Sequence, residues 1–162
     1  MNQPNNNTPD SPFRRPAAAA LVRGSRNYPA IQGRVDFYQT SRGTVVSAEI
    51  SGLPLPAGPC KSPVFALHIH EGESCTGNAE DPFADALSHY NPGGCVHPYH
   101  AGDLPPLFGN DGYAFSAFLT NRFTVGEVIG RAVIIHAGPD DFPSQPAGNA
   151  GAKIACGMIE AV

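Results

Sequence analysis

The chain has 162 residues, of which 41% are hydrophobic and 15% charged, and a formal net charge of −4. That length suits one domain able to bury a core of its own, while Gly and Pro, at 18 and 17 residues, interrupt it too often for a helical bundle. No apolar run approaches the ~18 residues of a membrane helix, and 14 acidic against 10 basic residues argue against a nucleic-acid or anionic-membrane surface.

Residues 1–16 are Asn- and Pro-rich and read as a flexible N-terminal tail, with a single domain over 17–162. The apolar stretch Ala17 to Val22 is shorter than the ~7–15 residues of an export signal, so the expectation is a cytoplasmic protein. Strands follow. Ala18 to Arg23 is the first. In Ile31 to Gln39, Ile31, Val35 and Phe37 share one face, and Ser41-Arg42-Gly43 supplies a hairpin turn. In Thr44 to Ile50, Val46, Ala48 and Ile50 face one way. Gly52 to Pro63 is proline-rich loop. Val64 to His70 alternates Phe65, Leu67 and Ile69 against Ala66, His68 and His70. Tyr113 to Leu119 follows an Asn110-Asp111-Gly112 turn, and Arg131 to His136 and Lys153 to Met158 complete the set. Short alternating strands at regular turns predict an all-β sandwich or antiparallel barrel. Two long segments, Glu71 to Leu107 and Ala137 to Gly151, lack periodicity, and loops of that length in a compact domain are usually functional.

The six histidines are His68, His70, His89, His97, His100 and His136. All lie in the two long segments or at the strand ends feeding them. Alternation puts His68 and His70 on one face, about 6.5–7 Å apart, opposite the apolar side chains, where a covering loop would meet them. Imidazole clusters suit Zn, Cu, Fe and Ni; four nitrogens in a tetragonal set favour Cu(II), and a mixed His/Asp tetrahedral set favours Zn. The four cysteines, Cys60, Cys75, Cys95 and Cys156, pose a conflict, because an even count suggests disulfides that a reducing cytoplasm would not sustain.

Five motifs in order carry a resemblance. They are His68-Ile69-His70-Glu71-Gly72, His89-Tyr90-Asn91-Pro92, His100-Ala101-Gly102-Asp103-Leu104, Val133-Ile134-Ile135-His136-Ala137-Gly138, and Gly148-Asn149-Ala150-Gly151-Ala152-Lys153-Ile154-Ala155-Cys156-Gly157. Together they resemble the copper/zinc superoxide dismutases, in the bacterial form with shortened loops, from about Ala18 to the C-terminus. The resemblance implies an eight-stranded Greek-key β-barrel with metals outside it under two long loops. It implies dismutation of superoxide, a small-molecule substrate, to oxygen and hydrogen peroxide. Carried over residue by residue, it makes His68, His70, His89 and His136 the copper ligands, and His89, His97, His100 and Asp103 the zinc ligands. His89 would bridge the ions and take a proton during turnover. Asp140 matches the carboxylate that joins a copper ligand to a zinc ligand, and Cys75 and Cys156 match the family's disulfide. Cys60 and Cys95 are left as a second bridge or as two free thiols. The chain would be a monomer or a homodimer.

Three positions depart from the pattern. Lys153 stands where the family usually has arginine, so a flexible point charge replaces a planar fork. The loop from Ala137 to Ala150 contains no Lys or Arg to steer an anion. Only Pro98 and Tyr99 separate His97 from His100, which makes zinc less secure than copper. Two rivals therefore stand beside the enzyme: a copper-binding or copper-buffering protein on the same fold, and a copper-only dismutase with His97 idle. A zinc hydrolase is a poorer fit, because Asp103 and Asp140 already have structural roles.

Overall fold

The computed structural model describes residues 15–59 and 63–162, so residues 1–14 of the expected tail and Cys60 lie outside the described residues. The alternating segments become β1 (Ala18–Gly24), β2 (Gln32–Thr40), β3 (Gly43–Ser51), β4 (Val64–Phe65), β5 (Leu67–His70), β6 (Leu107–Phe108), β7 (Tyr113–Thr120), β8 (Ala132–His136) and β9 (Lys153–Ala161). The β2–β3 hairpin shows why they pair as they do. Val35 lies opposite Ala48 and Phe37 opposite Val46, so the inward side chains stack as cross-strand pairs, all fully buried. Gly43 closes the turn at φ 135°, where a Cβ would lie 2.3 Å from the Thr120 carbonyl oxygen.

Seven strands form one antiparallel sheet in the order β5-β8-β9-β1-β2-β3-β7, and β4 pairs with β6 in a two-stranded ribbon. The ribbon spans the open side of the curled sheet. β6 packs beside β7, and β4 leads through Ala66 into β5, whose partner is β8. Taking β4 and β5 as one run, broken where Ala66 bonds instead to Gly138 and His136, the strands among the described residues match the expected eight-stranded β-barrel. Two details differ from the sequence reading. Leu107 opens a strand rather than ending a loop, and β9 continues past Met158 to Ala161.

The barrel interior holds Val35, Phe37, Val46, Ile50, Leu67, Ile69, Val133, Ile135 and Ile159 among others. β5 and β8 are buried on both faces. Their inner face joins that core. Their outer face lies under the long loops, where Ala132 and Ile134 pack with Phe83, Ala86 and Cys156 in a second, smaller cluster. The Cys75–Cys156 disulfide ties the first loop to β9 above it. This outer face of β5 and β8 carries His68, His70 and His136. Among the described residues no helix is long and apolar enough to cross a membrane.

Candidate metal centre

Backbone hydrogen bonds bring the first loop onto β5. Glu71 N–H donates to Ser88 O, Tyr90 N–H to Ile69 O, and Ile69 N–H to Gly102 O, so the chain near His89 and that near Asp103 flank the strand as extra bridges. His70 then pairs with His89 and His68 with Asp103. One donor nitrogen from each of His68, His70, His89 and His136 falls within 4.8 Å of the others, and all four residues are buried.

The hydrogen bonds decide which nitrogens are bare. His70 Nδ1 lies 2.8 Å from Leu87 O and His136 Nδ1 3.0 Å from Gly151 O. A carbonyl only accepts, so each Nδ1 carries the proton and each Nε2 presents a lone pair. Those two Nε2 atoms face each other at 3.3 Å. His68 Nε2 lies 2.8 Å from Asp140 Oδ2 and donates to it, which leaves His68 Nδ1 bare; that atom and His89 Nε2 are buried without a partner. Four lone pairs therefore converge in a space where no donor among the described residues meets them, an arrangement that repels itself until a cation enters. Three of the rings, His68, His70 and His136, stay neutral. Burial, with help from His89 and His136, pushes the His68 pKa down to about 2. Burial brings His136 down to about 4 and His70 well below its usual value.

A second group shares His89. Donor atoms of His89, His97, His100 and Asp103 also lie within 4.8 Å of one another. Asp103 Oδ1 is 2.7 Å from His89 Nδ1 and 3.3 Å from His100 Nδ1, and Asp103 Oδ2 is 3.0 Å from His97 Nδ1. His97 donates from Nε2 to Asp140 Oδ1 at 2.9 Å, so its Nδ1 is bare and meets the carboxylate lone pair to lone pair. Burial would raise the Asp103 pKa, but the hydrogen bond from His89 and the neighbouring imidazoles outweigh it and hold the carboxyl below its usual value. The short Pro98-Tyr99 link thus still brings His97 and His100 to one point, with donor atoms of both beside Asp103.

The two groups, three nitrogens plus one carboxylate oxygen beside four nitrogens, share a single histidine. The sequence profile of the copper/zinc superoxide dismutases matches residues 31–159. The chain belongs to that family. It is 36% identical to a "Superoxide dismutase [Cu-Zn]" of Deinococcus radiodurans, over 82% of this chain and 79% of the relative. It is 35% identical to "Superoxide dismutase [Cu-Zn] 2" of Aquifex aeolicus, over 78% of each. A Photobacterium leiognathi "Superoxide dismutase [Cu-Zn]" is 32% identical over 79% of this chain and 78% of its own.

In this superoxide dismutase chain Asp140 reaches both groups, one oxygen on His68 and one on His97, and each bond fixes which ring nitrogen stays bare. Gly148 makes room for it. The first group opens into a cleft of about 530 Å³ lined by His70, His89, His136, Lys153 and Cys95. Lys153, the point charge at the family's arginine position, is held in an ion pair. Its Nζ donates to Asp81 Oδ2 at 2.7 Å and to Phe83 O at 3.1 Å, and its side chain is 15% exposed. Cys95 is a free, exposed thiol, and Cys60, with which a second bridge was considered, lies outside the described residues.

Sequence reasoning missed Asp81, Arg122 and Gln145. Arg122 Nη1 donates to the carbonyls of Pro98, His100 and Asp103 at 3.0–3.2 Å, pinning the backbone that carries the second group. Gln145 bonds the backbone of His97. These contacts span 19 to 72 residues of sequence and have no local signature.

Proposed function

We propose that the chain dismutes superoxide, converting two superoxide anions and two protons to dioxygen and hydrogen peroxide, at a copper held by His68, His70, His89 and His136. His89, His97, His100 and Asp103 would hold a zinc beside it. The observation that carries this reading is the convergence of four bare imidazole nitrogens, His68 Nδ1 and the Nε2 atoms of His70, His89 and His136, with no donor among the described residues to satisfy them. An all-nitrogen set suits copper, and the three-nitrogen, one-carboxylate set suits zinc. Copper held there by His68, His70, His89 and His136 would supply the one-electron redox chemistry that the reaction needs.

The chain's own residues do the rest. The neutral rings of His68, His70 and His136 offer lone pairs at physiological pH without first losing protons. Asp140 and the Leu87 and Gly151 carbonyls hold those rings in the required tautomer. His89 has Nδ1 turned to the Asp103 group, so Nε2 is the ring's remaining basic atom; His89 also lines the cleft, where that nitrogen can take a proton and deliver it to the reduced substrate. Lys153 places a positive charge at the cleft for an anionic substrate, fixed by Asp81 and by the Phe83 carbonyl. A persistent Cys75–Cys156 bridge fits an oxidising compartment better than the cytoplasm expected from the N-terminal segment.

The experiment is metal analysis of reconstituted protein and of His68→Ala and His136→Ala. The reading expects each substitution to abolish copper retention while zinc remains. Copper retained in full by both variants would sink the ligand set, and copper held without zinc in the wild type would favour the copper-only reading.

A further inference from the structure

The second loop holds His97 in two places. Asp140 takes the ring, as described. The backbone of the same residue is taken by Gln145: His97 N–H donates to Gln145 Oε1 at 3.0 Å, and Gln145 Nε2 donates to His97 O at 2.6 Å. One side-chain amide thus does for His97 what a neighbouring strand would do, satisfying donor and acceptor together. His97 is buried, with 2% of its surface exposed, so both backbone groups need partners inside the protein. The residue after it is proline, which brings no donor of its own. Gln145 itself is exposed and packs no core. We propose that Gln145 is the positioning residue of the zinc group: its amide seats the His97 backbone so that Nδ1 points at the metal, and it makes the order of the second loop a condition of zinc affinity. This rests on reading His89, His97, His100 and Asp103 as the zinc set.

The geometry gives the clamp a chemical signature. Gln145→Glu keeps the length and can still accept from His97 N–H, but it presents no donor to His97 O and sets a carboxylate against a carbonyl. Gln145→Ala loses both bonds. A residue that merely filled space would be served equally by Gln and Glu. The test titrates zinc, and separately cobalt(II) as a visible-absorbing stand-in, into metal-free wild type, Gln145→Glu and Gln145→Ala against a chelator, with copper affinity and thermal unfolding measured beside them. Since substitutions in the shell behind metal ligands typically cost about 10–100-fold in affinity, both variants should bind zinc at least about tenfold more weakly. Their cobalt spectra should also lose intensity or shift, while copper affinity stays within about twofold and metal-free unfolding temperatures stay near wild type. Wild-type zinc affinity in Gln145→Glu would overturn the proposal, and so would equal weakening of copper and zinc, which would mark general damage to the loop. If the wild type bound zinc nowhere, the zinc reading itself would fall, and this inference with it.

Discussion

Gly148→Ala adds a single methyl group, and that group should damage both metal sites at once. Gly148 sits at φ +66°, and a Cβ there would lie 2.0 Å from Asp140 Oδ1, 2.6 Å from its Cγ and 2.7 Å from His97 Nε2. Non-bonded carbon contacts settle near 3.5–4 Å, so Asp140 would have to withdraw by more than an ångström. Its two oxygens hold His68 at 2.8 Å and His97 at 2.9 Å, and that displacement breaks both bonds. A left-handed conformation costs an alanine about 1–2 kcal/mol. Each hydrogen bond to a charged group is worth about 1.5–3 kcal/mol. Relaxation of the loop recovers part of this, so we expect about 3–5 kcal/mol net, or a fall of roughly 6–20 °C in the unfolding midpoint. Affinity for each metal should fall about 10–100-fold. Asp140→Asn is the companion variant: its amide oxygen can still accept from one ring, but its NH2 must face the other and turn it to the wrong tautomer, so one site should suffer more than the other. The assay is chelator-competed copper and zinc titration together with thermal unfolding. Gly148→Ala protein with wild-type midpoint and wild-type affinity for both metals would refute the argument that Asp140 fixes the two sites jointly.

Lys153→Arg should keep or raise the rate of superoxide consumption and Lys153→Glu should lower it several-fold, with the difference fading as salt shortens the Debye length below its ~8 Å at physiological strength. Curves of rate against ionic strength that superimpose for the three proteins, at equal copper content, would show that Lys153 does not guide the anion. In the metal-free protein, His68 titrates at about 2, His136 at about 4 and His70 far below normal, while the unfolded chain takes up these protons near 6.5. Stability is therefore complete above pH 6.5 and declines as the pH falls toward 4, by about 1.4 kcal/mol per pH unit for each histidine. Urea unfolding between pH 7.5 and 4.5 measures it, and a flat profile in metal-free protein would contradict the neutral buried cluster.

Much of this was legible in the chain because it depends on period two. The alternation of Val35 with Phe37, and of Val46, Ala48 and Ile50, reports a face that must be buried. The same alternation puts His68 and His70 together on the other face. β6 was not legible, since two residues carry no period, and its pairing with β4 is set by where the barrel must close. The candidate ligands were legible through the family resemblance, five of the six histidines within its motifs and His97 beside them, and the structure gathers all six with Asp103 into two groups. Of the residues behind them, Asp140 was legible through the same resemblance, whereas Gln145, Arg122 and Asp81 were not. Gln145 meets His97 across 48 residues and Lys153 meets Asp81 across 72, and nothing local distinguishes these side chains from solvated ones. Lys153 shows the cost: its charge is plain in the sequence, its ion pair is not.

A copper bound by four imidazoles should consume superoxide. The most direct measurement is the superoxide consumption rate per bound copper, taken on zinc- and copper-loaded protein in the presence of a chelator that silences unbound copper, beside copper-loaded His89→Ala and chelated copper alone. The wild type should run far above chelated copper, with the excess largely lost in His89→Ala even where copper is retained. A copper-loaded wild type no faster than chelated copper would contradict this and leave a protein that holds the metal without using it.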